Sequence, residues 1–503
     1  MEEYITVVKR PTRDLSVCLL YPNEYRGMVS NVGFHIVYRM LAEAGFNVDR
    51  AYLPTDSYDL FSPERRLVTL ETGSAPSKFD VVDVSLQFEL DYPHVLEALV
   101  MGGIPPRRED RGDDDPIVMA GGPCTVNPEP MSPFIDAFYV GEAEAHLLEG
   151  LEVIERSSTR EEALENLAEI PGFYVPAVGG TVERVHVEDL DSHDPRPAFH
   201  PSDPSASGLK AYPVEIQRGC PYRCRFCMGG WTSGPPRFRS LESVEKVLDD
   251  AIGSPYDTVA LIGPSPLDHP EFWDIVEKVK ERGLRLSVPS LRVSTLDAET
   301  VKGLASAGVG TLTLAVESGH PGIREFLGKD VPMDLLRETV ETAADLRLDV
   351  KLYLIIGVPG FDPREEVKAN VELVRELKRL NPRIRVSVNP LVPKAHTPFQ
   401  FLPMTDLETL TFILKELDRK IPAPVSVEDP LDAGIQCVLS RGGKETSEIP
   451  EKLAWNVGNR GLKRDLLRRF DPTEAPSSPE ELPYRHVKVP GVPEPIRSLP
   501  RRA

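Results

Sequence analysis

Three cysteines, Cys220, Cys224 and Cys227, stand at a C-x3-C-x2-C spacing in the stretch Gln-Arg-Gly-Cys-Pro-Tyr-Arg-Cys-Arg-Phe-Cys-Met. Thiolates are the usual ligands of a four-iron cluster, and a fully protein-ligated cluster takes four of them. Three local thiolates leave one iron open, and an open iron can chelate and reduce a small molecule. The remaining cysteines, Cys18, Cys124 and Cys437, are solitary, and no His-x3–5-His follows. A structural zinc site, which takes four ligands and usually two separated pairs, is therefore short of partners. The trio follows the apolar run Val214-Glu215-Ile216. It falls on a loop at the carboxyl end of a strand, where barrel-type α/β folds place their chemistry.

The elements that must position this loop read as repeated βα units around a parallel sheet. Six strands are expected at 213–218, 257–263, 285–290, 311–317, 350–357 and 384–389, with helices between them such as Leu241–Ile252 and Ala298–Ala307. Ser240 is the expected N-cap of the first. Polar and turn residues gather at the strand ends. Gly263-Pro264-Ser265-Pro266 follows the second strand, where a plain proline-rich turn is the competing reading. Ser290 and Arg292 follow the third; a guanidinium there matches a carboxylate through two parallel hydrogen bonds, or forms a surface ion pair. Glu317 closes an apolar fourth strand, where burial without a partner is costly, and Ser318 follows it. Gly357 ends the fifth strand in Gly-Val-Pro-Gly, and Val392, Lys394 and His396 follow the sixth. A lone histidine such as His396 is more often structural than catalytic.

The cysteine spacing, with Phe226 as the aromatic residue before the third cysteine, resembles the signature of the radical S-adenosylmethionine (SAM) superfamily. The resemblance covers about residues 210–400. It implies a [4Fe-4S] cluster in a partial (β/α)6 TIM barrel, the open iron binding the amino and carboxylate groups of SAM. It also implies an electron donor such as ferredoxin or flavodoxin, and cleavage of SAM to a 5′-deoxyadenosyl radical. By the same resemblance, Phe226 and the backbone of Gly263, Pro264 and Ser265 contact SAM, although the family's glutamate in that turn is missing. Ser290 and Arg292 hold its carboxylate, Glu317 and Ser318 its ribose or amino group, and Gly357 and Val392 the adenosine end. Lys394 and His396 face the substrate.

Upstream, Leu15–Tyr21, Asn47–Leu53, Phe79–Leu86, Ile117–Gly121 and Asp136–Val140 read as short buried strands, with helices at Asn31–Ala44 and Tyr92–Met101. This is a doubly wound, Rossmann-like sheet, whose ligand lies over the strands' carboxyl ends. Before a radical-SAM barrel it resembles a cobalamin-binding domain. Ser85, Leu86, Gly121, Gly122, Gly141 and Glu142 are the cobalamin contacts that the resemblance implies. The family's Asp-x-His-x-x-Gly is replaced after the first strand by Pro22-Asn23-Glu24-Tyr25-Arg26-Gly27, so cobalt receives no histidine from that loop. His35 is expected in the core.

The 503 residues divide into a cobalamin-binding-like domain (1–156), a connector with a hairpin and a surface linker (157–208), the barrel (209–402) and a helical C-terminal region with a Pro-rich tail (403–503). A net charge of −21 argues against DNA or an anionic membrane as partner. No apolar run approaches the ~20 residues that span a bilayer. A cytoplasmic location is expected from the scattered cysteines and the iron site. The resemblance implies a radical SAM enzyme, cobalamin-dependent, transferring a methyl group to an unactivated carbon of a protein side chain, an RNA or a small metabolite. The alternatives are a methylthiotransferase, which usually carries a second cysteine trio upstream, or another radical SAM enzyme without cobalamin, and a non-enzymatic iron–sulfur sensor.

Overall fold

The computed structural model describes residues 2–56 and 61–491, and the last part of the expected extended tail lies outside them. The described residues form two compact units, one of residues up to 210 with 438–470 and 479–490, the other of 211–437 with 471–478 and Gly491.

In the first unit, β1 (Ser16–Tyr21), α1 (Val32–Glu43), β2 (Asn47–Tyr52), β3 (Val81–Ser85), α2 (Tyr92–Met101), β4 (Ile117–Gly121), β5 (Ala137–Tyr139), α3 (Ala143–Arg156) and β6 (Phe173–Tyr174) follow in order. They build a six-stranded sheet of order β2-β1-β3-β4-β5-β6, parallel except for β6. In β1 the four central residues are all buried, so both faces are covered, as the continuous apolar run requires. The order reverses between β1 and β3, which places the ligand crevice of such a sheet beyond those two carboxyl ends. His35 is buried as expected, its Nε2 3.1 Å from the Val29 carbonyl and its ring 4.2 Å from that of Phe199.

The connector departs from its expected form. Phe173–Tyr174 does not pair with the segment beyond Gly179-Gly180; it joins the main sheet antiparallel to β5. Val182–Glu183 instead pairs in parallel with Val487–Lys488 of the tail. Nor does the whole segment before 208 lie on the surface, since residues 197–201 are buried. Phe199 is fully buried, with the Arg50 guanidinium 3.9 Å above its ring, and Phe199–Pro201 pairs antiparallel with Glu3–Ile5. A large aromatic anchor outweighs the loop-like composition around it.

The second unit carries β7 (Tyr212–Glu215), α4 (Leu241–Ile252), β8 (Thr258–Ile262), α5 (Phe272–Glu281), β9 (Arg285–Ser287), α6 (Ala298–Ser306), β10 (Thr311–Glu317), α7 (Pro321–Leu327), α8 (Met333–Asp345), β11 (Asp349–Ile356), α9 (Pro363–Leu380), β12 (Ile384–Pro390), α10 (Leu407–Lys420) and β13 (Val425–Val427). The strands are parallel in two arcs, β7-β8-β9 and β10-β11-β12-β13, joined by the bridge between Leu291 and Leu314. This is a partial barrel. Alternation along β11 buries Val350, Leu352, Leu354 and Ile356 and leaves Tyr353 and Ile355 half-buried on the opposite pleat; Tyr353, Leu354 and Ile355 line the cavity at the strand ends. Ser240 caps α4 by accepting from Ser243 N–H. No helix among the described residues is long and apolar enough to cross a membrane.

Candidate active site

The cysteine loop leaves the barrel sheet after β7. Gln217–Arg218 pairs antiparallel with Arg237–Phe238, clasping the loop at its base. Gly219 has φ +74, and a Cβ there would lie 2.4 Å from the Pro235 carbonyl oxygen, so the clasp demands glycine. Arg225 fastens the middle of the loop to α7 through its backbone N–H to Leu327 O (2.9 Å) and its guanidinium to Phe326 O (3.0 Å). The Trp231 indole donates to Cys224 O at 3.0 Å.

Held this way, all three cysteines face one cavity of about 310 Å³ and all are free thiols. Burial pushes the Cys220 and Cys227 thiols up. Backbone N–H groups oppose that rise, from Tyr222 toward Cys220 and from Gly229 and Gly230 toward Cys227, and so does the Ser265 hydroxyl toward Cys220. These donors favour thiolate, the form that binds metal. Among the described residues no group of three His, Cys, Asp or Glu side chains could hold a single metal ion. A four-iron cluster makes no such demand, because each thiolate takes its own iron. The donor set fits a cluster with one protein ligand missing.

Around the thiols the cavity gathers Phe226, Pro264, Ser265, Ser290, Arg292 and Glu317 from the expected contacts. Glu317 reaches it through a bulge in β10, where the register with β11 shifts between Ala315 and Glu317, and it has φ +66. Bulges of this kind re-aim a side chain. Its carboxylate meets Lys329 Nζ at 2.6 Å, both side chains less than a tenth exposed. Arg292 lies with its guanidinium 3.9 Å over the Tyr222 ring and Nη1 3.8 Å from Cys224 Sγ.

Six expected residues do not line the cavity. Gly263 packs beside Gln217. Ser318 is fully buried, its hydroxyl accepting from His320 N–H. Gly357 donates its N–H to Glu366, and Val392 packs on the barrel core. Lys394 acts electrostatically on Glu428, and His396 is buried at φ +57 with its N–H donated to Gln400. Sequence reasoning missed Tyr222, Asp268, Lys329, Tyr353 and Asn389, all cavity-lining. Tyr222 sits between two ligands and was there to be found. Lys329 reaches the cavity only because α7 ends in the left-handed Gly328, which no local pattern announces.

In the first unit, Ser85 Oγ accepts from Gln87 and Leu86 is buried. Gly122, at φ +115, approaches Leu86 O so closely that a Cβ would be 2.5 Å away; Gly141, at φ +142, approaches Val185 O likewise at 2.2 Å. Those two glycines serve backbone packing. Glu142 accepts from Val187 N–H at 3.2 Å and stands 3.5 Å from Arg184. Gly121 differs, because a Cβ there would meet nothing within 4 Å, leaving clear space at the carboxyl end of β4 for a flat ligand.

Residues 214–374 match the Radical SAM superfamily, and residues 33–176 match the N-terminal domain of radical SAM proteins. The chain belongs to the radical SAM superfamily. A relative in Methanocaldococcus jannaschii, an uncharacterized protein, is 28% identical over 440 residues, 86% of this chain and 90% of that one. Among solved structures, the radical S-adenosylmethionine methyltransferase TsrM from Kitasatospora setae, with cobalamin and a [4Fe-4S] cluster bound, aligns with a TM-score of 0.54 at 17% identity, over 76% of this chain and 75% of that one. The cobalamin-dependent radical enzyme OxsB with aqua-cobalamin bound aligns with a TM-score of 0.55 at 14% identity, over 90% and 71%. At these identities the likeness is one of fold: this radical SAM protein shares a Rossmann-like sheet and a partial barrel with both.

Proposed function

We propose that this radical SAM enzyme is cobalamin-dependent and transfers a methyl group to an unactivated carbon. One observation carries the reading. The trio's cavity has the charges to receive an amino-acid zwitterion beside the missing cluster ligand, and it accompanies a front unit of the fold seen in TsrM and OxsB. When bound, the cluster supplies one electron to SAM and cobalamin carries the methyl group.

This chain's residues bind, orient and enclose. Cys220, Cys224 and Cys227 would hold the cluster, with backbone N–H groups opposing the rise that burial imposes on the Cys220 and Cys227 thiols. The Glu317–Lys329 pair offers one charge to an ammonium and the other to a carboxylate. Phe226 and Tyr353 give the cavity apolar walls that keep water from a reactive intermediate. In the front unit, Ser85 and the open flank of Gly121 would meet the cobalamin, with no imidazole from the loop after β1. A low-potential donor of the ferredoxin or flavodoxin type would supply the electron.

Anaerobic reconstitution with iron, sulfide and cobalamin tests this. The expected result is a retained cobalamin spectrum, about four irons per chain and formation of 5′-deoxyadenosine after reduction. Cys224→Ala should lose the iron and the SAM cleavage together. SAM cleavage without retained cobalamin would remove methyl transfer and leave the radical chemistry standing.

A further inference from the structure

We propose that Arg292 sets the reduction potential of the cluster, by a fixed N–H···S contact to Cys224, and does not grip the carboxylate of SAM. The inference rests on the reading of the cysteine trio as cluster ligands.

The guanidinium is immobilised from several sides. Its Cζ lies 3.9 Å from the centroid of the Tyr222 ring, and Tyr222 is itself held by its hydroxyl donating to Asp268 at 2.9 Å. Nε donates to Ser294 Oγ at 3.0 Å, and Nη1 points to Cys224 Sγ at 3.8 Å. The backbone is pinned as well, with Leu291 N–H bonded to Thr313 O at 2.7 Å. Arginine clamps a carboxylate with two parallel N–H groups from one edge of its fork. Here each edge has one member already engaged, Nε on one and Nη1 on the other.

Charge points the same way. Lys329 also acts on a cluster thiol, Cys227, but Glu317 offsets it at 2.6 Å. Among the described residues no carboxylate lies within ion-pair distance of Arg292, so no ion pair offsets its charge at the sulfur; Asp268 is bonded to the far end of Tyr222. Reducing the cluster adds one negative charge. A cation that donates to a ligating sulfur stabilises the reduced form more than the oxidised one, and hydrogen bonds to sulfur with net charge are what set such potentials.

The test uses the reconstituted full chain without added cobalamin. Iron content is measured first, then the reduced cluster's paramagnetic signal is titrated against an electrochemically set potential, and SAM binding is measured by equilibrium dialysis. Arg292→Gln should cut the reduced-to-oxidised ratio at a fixed potential about tenfold, a shift of about 59 mV more negative for one electron. Its SAM affinity should stay within about twofold of wild type. Arg292→Lys, which keeps the charge but not the guanidinium's set of fixed N–H donors, should recover part of the shift. Tyr222→Leu, which removes the platform and leaves the charge, should lower the potential in the same direction and carries the test if Arg292→Gln takes up no iron. An unmoved potential in these variants overturns the inference, and a tenfold loss of SAM affinity with it would return Arg292 to the carboxylate. Wild-type protein that binds no iron would instead overturn the assignment of the trio itself.

Discussion

Lys329 and Glu317 form a buried ion pair whose members flank α7 in the chain, and both line the cavity. Removing one partner of such a pair leaves an uncompensated charge and costs about 3–5 kcal/mol, whereas replacing both is often neutral. Lys329→Met should therefore lower the unfolding free energy by about 3 kcal/mol, measured by urea denaturation. The double variant Lys329→Met with Glu317→Gln should recover most of that loss. SAM affinity separates structure from function. If the pair receives the zwitterion, the double variant stays at least about tenfold weaker in binding, or about 1.4 kcal/mol, despite its restored stability. Recovery of both together would show a purely structural pair. The half of the pair at a strand end was legible in the sequence, since Glu317 breaks an apolar run; its partner was not.

At the scale of elements, strand ends carry most of what the sequence allowed to be read, and they also show where that reading stops. Gly357 stood out as the close of an apolar strand, and the resemblance placed it beside a cofactor. In the structure its φ is +70, and its N–H is bonded by both oxygens of Glu366 on α9, at 3.1 and 3.2 Å. A Cβ there would be 2.3 Å from Leu410. The turn is thus held by a side chain of the following helix, and a buried glutamate on an amphipathic helix reads in sequence as an exposed one. Burial pushes the Glu366 carboxyl up to about 8, against its backbone donors at Gly357 and Val358. Between about pH 4.5 and 8 the folded protein keeps a proton that the unfolded chain has released, so stability falls as pH rises through that window and levels off above it. Glu366→Gln has no such proton. Relative to wild type it should gain on the order of a few kcal/mol between pH 5 and pH 9, because each tenfold difference in proton affinity between the folded and unfolded chain is worth about 1.4 kcal/mol. Denaturation midpoints of the two proteins that run parallel across that range would contradict the assignment.

At the scale of the molecule, the chain does not build its first unit in one pass. Residues 438–470 and 479–490 return to it after the barrel has been made. The hydrophobic pattern revealed the sheet of that unit, because β1 to β5 are local apolar runs, but not the return, which joins residues far apart in the chain through buried apolar side chains such as Ile449 and Leu453 and through polar contacts. Asn127 makes the clearest of the polar contacts. It is buried after β4, and its carboxamide nitrogen donates to Leu439 O at 3.3 Å, Ser440 O at 3.0 Å and Gly442 O at 3.0 Å. Those carbonyls lie at the carboxyl end of the helix Pro430–Arg441, where the last turn has no intrahelical donors. Asn127→Ala removes the buried donor that these carbonyls share, at about 1–3 kcal/mol for the group. Asn127→Asp keeps the shape but exchanges the donor for a second acceptor facing carbonyl oxygens, so its loss should equal or exceed that of alanine. A role in packing alone predicts the reverse order, with the isosteric aspartate the milder change. Urea unfolding of the two variants at neutral pH, followed by the fluorescence of Trp455 in a protein whose other tryptophans are replaced, reads out that order for this unit.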